Sequence, residues 1–119
     1  MPRSPELPES LTPAAFQILL ALADEDRHGL GIAEEVEERM GGEFQLGPGT
    51  LYGTIKKLRS VGFIQEGQAP PDPEGHDPRR RYYGLTPGGR EALAREARRL
   101  DLMVRVARKK DLLKTRERS

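Results

Sequence analysis

The sequence predicts a mainly α-helical protein with one small β-hairpin and a long C-terminal helix. Three observations lead to this prediction. Thr-Pro pairs stand at residues 12–13 and 86–87, and each is a typical helix start, because a threonine hydroxyl caps the first turn and proline fits it. Apolar residues recur at helical spacing along most of the chain. A proline-rich stretch at residues 68–78 separates two short segments that favour strands.

Composition narrows the class of protein. A chain of 119 residues indicates one domain with an appended helix. The net charge is only +1, but residues 11–43 carry eight acidic and two basic residues, whereas residues 91–119 carry ten basic and five acidic ones. This separation of charge keeps nucleic acid among the expected partners. The absence of cysteine excludes disulfides, thiolate catalysis and cysteine-bound metal.

The N-terminal segment points to no export or membrane anchoring. Residues 1–10 hold three prolines and mixed charges, so we expect a flexible arm. They contain no apolar core of a signal peptide. No apolar run approaches the ~20 residues needed to cross a bilayer. We therefore expect a cytoplasmic protein with no membrane partner.

The first helix is expected over about residues 13–23 and is apolar nearly all round. Such a helix is covered on more than one side. One side should face the domain core, and the other should meet the C-terminal helix or a second subunit. Phe16 and Leu19 are therefore assigned to a dimer interface.

A turn at residues 24–29 should lead into a second helix over about residues 30–40. Ile32, Val36 and Met40 are spaced four apart and should face inward. The outward face carries four glutamates. Because carboxylates repel phosphates, this face should point away from any nucleic acid.

The third helix is the basic one. It should begin at Pro48 and end before Gly62, with Leu51, Ile55 and Leu58 forming a narrow buried stripe. Small and basic residues on the outward side suit a helix laid into a DNA groove. The residues assigned to DNA contact on this helix are Thr50, Tyr52, Gly53, Thr54, Lys56, Lys57 and Arg59.

The hairpin, expected over about residues 63–85, would form the wing of a winged helix-turn-helix. Its strands should be residues 63–66 and 79–85, and the proline-rich tip lies between them. Arg80 and Arg81 are further DNA-contact candidates. Neighbouring residues of a strand point to opposite faces, so these two arginines cannot both follow one phosphate track. Residues 11–86 would then constitute the DNA-binding domain.

The C-terminal segment, residues 87–119, is expected to be a dimerisation helix, helical from about residue 88 to 113. At 1.5 Å per residue this helix would extend ~39 Å, more than so small a domain can cover. A second copy of the chain is the simplest partner for its apolar stripe. The stripe follows heptad spacing and consists of Leu93, Ala97, Leu100, Val104 and Ala107.

The order of these motifs resembles the PadR-like family of winged-helix transcriptional regulators. The likeness spans roughly residues 12–93. The likeness depends on all of the motifs together, in their order and spacing. They are Thr12-Pro13, His28-Gly29 with Ile32, Gly49-Thr50-Leu51-Tyr52, Gly62-Phe63-Ile64, and Arg80-Arg81-Tyr82-Tyr83-Gly84-Leu85-Thr86-Pro87.

The resemblance implies a homodimer, held by C-terminal helices that pack on each other and on the partner's first helix. It also implies binding of double-stranded DNA at a palindromic operator, usually as a repressor. In related proteins the tyrosine matching Tyr52 and polar residues of that helix touch DNA, and basic residues of the wing reach the backbone or the minor groove. Related proteins often carry a serine at the position of Gly47. The paired helices could also enclose a cavity for a small apolar effector.

Two rival functions remain open at this point. One is a winged-helix module that binds another protein and no DNA; the other is a DNA-binding protein without sequence preference. Enzymatic activity is not expected, because the sequence shows no phosphate-binding loop and no Ser/His/Asp order. Neither a cofactor nor a metal site is expected, since His28 and His76 show no ligand spacing. His28 is interpreted as a structural turn residue.

Overall fold

The computed structural model describes residues 11–71 and 80–113. The predicted N-terminal arm, most of the wing tip and the last six residues of the chain lie outside the described residues. The elements follow the order α1 (Pro13–Ala21), β1 (Arg27–His28), α2 (Gly29–Met40), α3 (Pro48–Ser60), β2 (Ile64–Glu66), β3 (Tyr82–Leu85) and α4 (Pro87–Lys109). The predicted fold class, a winged helix-turn-helix followed by a long helix, is confirmed.

Helix α1 lies at the centre of the domain and contacts α2, α3 and α4. Its start is as predicted: the Thr12 hydroxyl accepts a hydrogen bond from the backbone N–H of Ala15 at 3.1 Å. It ends two residues earlier than expected. Arginines satisfy carbonyl oxygens at this end, as Arg27 Nε donates to the carbonyl of Ala21 at 2.7 Å and Arg90 donates to that of Ala23 at 3.0 Å.

The helix-turn-helix is formed by α2 and α3, each with an apolar stripe on the core. Helix α2 ends at Gly41, whose φ of 62° lies in the left-handed region that glycine adopts without strain. Helix α3 is followed by Gly62 with φ 84°, at the predicted stop. The two helices differ at their starts, because His28 caps α2 with its side chain whereas Gly47 has none to offer α3.

The turn predicted at residues 24–29 is partly wrong, because residues 27–28 form a third strand. Strand β1 pairs antiparallel with β3, with Arg27 opposite Tyr83 and His28 opposite Tyr82. The sheet order is β1-β3-β2, so β3 is the central strand. A two-residue strand has no alternation to detect, and its pairing depends on a partner more than fifty residues away.

The wing strands are shorter than predicted. Strand β2 begins at Ile64, which lies opposite Leu85, and β3 begins only at Tyr82. Arg80 and Arg81 therefore precede the strand and are not part of it. The ladder extends beyond Glu66 because Gly67 N–H donates to the Tyr82 carbonyl at 2.8 Å.

The first half of α4 is packed on the domain, with Ala92 and Leu93 in the core. Glu96 is the one buried charged residue of the described chain, at 5% exposure. Arg99 donates two hydrogen bonds to it, at 3.2 and 2.6 Å. This contact, with a smaller contribution from the backbone of Leu11, lowers the pKa of the Glu96 carboxyl against the opposing effect of burial. The Glu96–Arg99 pair lies within α4, and the backbone of Leu11 connects Glu96 to the segment just before α1.

The second half of α4 has no cover within the described protomer. Leu102 and Met103 are about half exposed, and Val106 is 40% exposed. The helix ends at Lys109, four residues before the predicted end, and Asp111 takes a left-handed φ of 63°. Leu112 and Leu113 thus follow the helix instead of extending its stripe.

Candidate nucleic-acid interface

Helix α3 presents an open outer face because its buried side is narrow. Leu51, Ile55 and Leu58 are only 3–4% exposed and hold the helix on the core. On the outside, a Cβ added at Gly49 or at Gly53 would meet nothing within 4 Å. A backbone left bare in this way can approach another surface closely.

Tyr52 is half exposed, and its ring rests on the start of α2. A Cβ placed on Gly29 would come within 2.5–2.8 Å of the phenol atoms of Tyr52. The glycine is therefore required for this contact, which fixes the tyrosine. The hydroxyl oxygen of Tyr52 is the phenol atom nearest to this added Cβ.

A groove of about 390 Å³ lies between α3 and the wing. Three cationic side chains and three hydroxyl groups line it, with no carboxylate among the lining residues. Tyr83 is buried to 7% exposure, and Ser60 donates to the Lys57 carbonyl at 2.8 Å. This composition favours an anion such as a phosphate. The lining residues are Tyr52, Ile55, Lys56, Arg59, Ser60, Arg81 and Tyr83.

The groove brings together four of the predicted DNA-contact residues: Tyr52, Lys56, Arg59 and Arg81. The other candidates on α3 lie outside it; Thr50, Gly53 and Lys57 are exposed and Thr54 is half-buried. Ser60, on the outer face of α3, and Tyr83 are not among the residues that the sequence assigned to DNA contact. Tyr83 belongs to β3, and only the distance between β3 and α3 reveals that it borders the same groove.

The two wing arginines have different neighbours, although both precede β3 and the alternation of a strand does not account for this. Arg81 lines the groove beside α3, whereas Arg80 Nη1 lies 2.9 Å from Nε2 of His28 at the start of α2. Tyr82 follows Arg81 in the sequence, and its ring meets the His28 ring edge-on at 5.2 Å.

His28 is a structural residue, as predicted, and its role is specific. Its Nδ1 accepts a hydrogen bond from the backbone N–H of Gly31 at 3.0 Å, which caps α2. Burial lowers the pKa of the imidazole, and so does the neighbouring Arg80, while Glu34 opposes both effects. Among the residues that the structure describes, no group of His, Cys, Asp or Glu side chains could hold a metal ion.

A second, acidic depression of about 290 Å³ borders α2 and shares no residue with the groove. It is lined largely by glutamates, among them Glu34 and Glu38. Arg27 reaches three carboxylates here, those of Asp24, Glu25 and Glu35, at 3.4–3.5 Å. Phosphates would be repelled from this surface, in contrast with the basic groove.

Residues 18–95 match the transcriptional regulator PadR-like family. The chain belongs to this family. Its members are transcriptional regulators and not enzymes. The fold predicted from the sequence and the family it resembles are thus both confirmed.

Two relatives show how much of this PadR-like chain is similar to known proteins. It is 35% identical over 90 residues to the transcriptional regulator Rv3488 of Mycobacterium tuberculosis, covering 76% of this chain and 78% of the relative. It is 39% identical over 84 residues to an uncharacterized 37.1 kDa protein in transposon TN4556 of Streptomyces fradiae. That match covers 71% of this chain but only 22% of the much longer relative.

Solved structures show the same PadR fold. A PadR family transcription regulator from Clostridium difficile aligns with a TM-score of 0.70 at 28% identity, covering 82% of this chain and 97% of the other. Bacillus subtilis PadR, crystallised in complex with operator DNA, aligns with a TM-score of 0.56 at 25% identity. The latter match covers 67% of this chain and 44% of that one.

The predicted dimer residues of this PadR-like chain occupy three environments. Leu19 has no exposed surface and Leu93 only 7%, so both belong to the core of the protomer and offer little to a second chain. Phe16, Leu100 and Ala107 are half-buried. Ala97 and Val104 are exposed.

No helix within residues 11–71 and 80–113 is long and apolar enough to cross a membrane.

Proposed function

We propose that this chain is a sequence-specific DNA-binding repressor that acts as a homodimer on a palindromic operator. The observation that carries the proposal is the groove between α3 and the wing, which is lined by three cations and by no carboxylate. The complex of Bacillus subtilis PadR with operator DNA supports it, since that protein shares the fold.

In this proposal α3 enters the major groove. Gly49 and Gly53 leave its outer backbone bare, which permits close approach to the bases. Thr50 and Thr54 would meet base edges from the flank of the helix, and Tyr52 would reach a phosphate with its hydroxyl. These contacts would supply sequence preference and register.

The phosphate contacts would come from both walls of the groove. Lys56 and Arg59 contribute from α3, and Arg81 contributes from the wing. Lys57 is exposed beside them. Each cation that neutralises a phosphate releases a counterion, so binding should weaken steeply with added salt.

The homodimer is supported by the uncovered second half of α4. Leu102, Met103 and Val106 expose apolar surface on a helix that extends beyond the domain. Pairing of two such helices would bury this surface and present two copies of α3 to successive turns of DNA, ~34 Å apart. A small apolar effector held between the paired helices would provide a route to release of the operator.

The test is fluorescence anisotropy with the duplex upstream of the protein's own coding region, beside a scrambled duplex, across a salt series. A specific regulator should prefer its site by ~10³-fold or more. Equal affinity for both duplexes would indicate a DNA-binding protein without sequence preference. No binding to either duplex at low salt would favour a module that binds another protein.

The dimer is tested separately with Leu100→Asp, which places a charge on the α4 stripe. Analytical ultracentrifugation should then show monomer at concentrations where the wild type is a dimer. Arg98→Asp is the matched control, since Arg98 is exposed two residues away and lies on the opposite side of the helix. An unchanged dimer in Leu100→Asp would place the interface elsewhere.

A further inference from the structure

His28 makes two contacts that one imidazole ring cannot satisfy together. Its Nδ1 lies 3.0 Å from the backbone N–H of Gly31, and its Nε2 lies 2.9 Å from Nη1 of Arg80. A backbone N–H and a guanidinium are both donors and offer no lone pair. Each contact therefore requires the ring nitrogen to be an acceptor.

A neutral imidazole has one acceptor nitrogen and one N–H. With the proton on Nδ1, Nε2 accepts from Arg80 and the cap of α2 is lost. With the proton on Nε2, Nδ1 accepts from Gly31 and the ring N–H faces the guanidinium without a hydrogen bond. The cap of α2 and the hydrogen bond that Arg80 donates to His28, called the tether below, thus compete for a single lone pair.

The His28 ring is well placed to connect the wing with α3, the recognition helix of the proposed function. Tyr82, on the central strand β3, contacts it edge-on at 5.2 Å with an interplanar angle of 89°. The next residue along the chain, Gly29, supports the ring of Tyr52 on α3. A change in the cap of α2 therefore occurs beside a residue assigned to DNA contact.

We propose that His28 is a positioning residue that exchanges the wing arginine Arg80 for the cap of α2 when DNA binds. Without DNA, both tautomers are populated and Arg80 is tethered part of the time. A phosphate then takes Arg80 as a charge-assisted partner. His28 gives the Nδ1 proton to water, takes one at Nε2, and caps α2 through Nδ1. This inference rests on the proposed DNA binding.

The direct measurement is the tautomer of His28, read from ¹⁵N and ¹³C shifts of the ring in the full-length protein. The sequence has only two histidines, so His76→Gln leaves a single set of ring signals. Addition of the preferred duplex should shift the population toward the Nε2–H form. An unchanged tautomer ratio in a saturated complex would overturn the proposal.

A second arm needs no DNA. Arg80→Gln removes the guanidinium, so the free protein should shift toward the Nε2–H tautomer. Arg81→Gln is the matched control. Arg81 lines the groove between α3 and the wing, so its loss should leave the tautomer ratio of His28 unchanged. If no duplex binds, the proposed function fails while this arm still measures the competition. If Arg80→Gln has no effect, the competition itself is refuted.

The affinity for DNA gives a second readout of the exchange. In His28→Asn the amide oxygen stands near the position of Nδ1 and keeps the cap without the tether. In His28→Gln the oxygen stands near the position of Nε2 and keeps the tether without the cap. His28→Asn should bind the duplex roughly two- to tenfold more tightly than His28→Gln.

The background variant Arg80→Gln separates this effect from simple loss of the cap. With no arginine to tether, the affinity ratio of His28→Asn to His28→Gln should fall to about one. A ratio that persists in the Arg80→Gln background would assign the difference to helix stability alone and would overturn the exchange. Melting temperatures of all four variants establish that the compared proteins are folded.

Discussion

Helices α2 and α3 have similar lengths and similar cores but opposite outer faces. Ile32 and Val36 on α2 are fully buried, and Leu51 and Ile55 on α3 are 3% exposed. The outward side of α2 is acidic and borders the depression lined by glutamates. The outward side of α3 carries glycines and cations and borders the basic groove. The buried stripes thus give the domain its shape, while the outer faces distinguish the two helices.

The helices also differ at their starts. His28 caps α2 with a titratable ring, whereas Gly47 starts α3 without a side-chain hydrogen bond. The order of the helix-turn-helix motif, in which the second helix enters the groove, agrees with the charge of the outer faces. In the proposed complex with DNA, α2 would therefore support the fold and α3 would contact the bases.

The largest effect is expected where the two helices are alike. Ile32→Ala and Ile55→Ala should each lower the free energy of unfolding by about 2–5 kcal/mol, because each removes buried methyl groups from the same core. Urea denaturation at a fixed protein concentration measures both. A large loss for one variant and none for the other would show that the two stripes do not contribute equally.

Charge reversal should separate the outer faces. Lys57→Glu should weaken DNA binding roughly tenfold or more and lower the salt slope by at least about one unit, with the melting temperature nearly unchanged. Glu37→Lys is the matched reversal on α2 and should not weaken binding. Equal losses in the two variants would place both helices at the DNA, and a large drop in melting temperature for Lys57→Glu would make Lys57 structural.

The pH dependence of stability should come from the start of α2 and not from that of α3. Burial and Arg80 lower the pKa of His28, so the unfolded chain binds a proton more readily than the folded one. The contribution of the neutral ring is therefore full above about pH 6.5 and is lost as the pH falls through the lowered folded pKa. Urea midpoints at pH 7.5 and 5.5 should differ less in His28→Asn than in the wild type. An equal difference would assign the acid sensitivity to other groups.

The smallest effect concerns the start of α3. A Cβ at Gly47 meets nothing within 4 Å, so Gly47→Ser can add a hydroxyl cap without strain. It should raise the free energy of unfolding by a few tenths of a kcal/mol, whereas Gly47→Ala should lower it. Stabilisation by alanine equal to that by serine would show that capping is not the cause.

Local signals were sufficient to predict most of the fold. Thr12 and Thr86 mark helix starts, and Gly41 and Gly62 mark ends, because each acts through its own turn. Strand β1 was missed since its pairing with β3 depends on contacts across the chain. The end of α4 was placed too late, as Leu112 and Leu113 continue an apolar pattern that the backbone abandons after Lys109.

The candidate site could likewise be predicted only in part from the sequence. The outer face of α3 follows from helical spacing, so Lys56 and Arg59 could be chosen from the sequence. The groove depends on the distance between α3 and β3, so Tyr83 could not. The competition at His28 was equally hidden, because it requires the wing and the start of α2 to meet at one ring.

Two contacts at the base of the wing determine how α4 is attached to the domain. Gly89 lies so close to the carbonyl oxygen of Phe63 that a Cβ there would collide with it, and the Thr86 hydroxyl donates to the Gly62 carbonyl at 2.6 Å. The start of α4 is thus held against the end of α3. In the proposed dimer the two copies of α3 would therefore be held at a fixed distance and a fixed relative orientation. One base pair inserted between the half-sites would turn one of them by about 34°, and the DNA, not the protein, would have to twist to restore the fit.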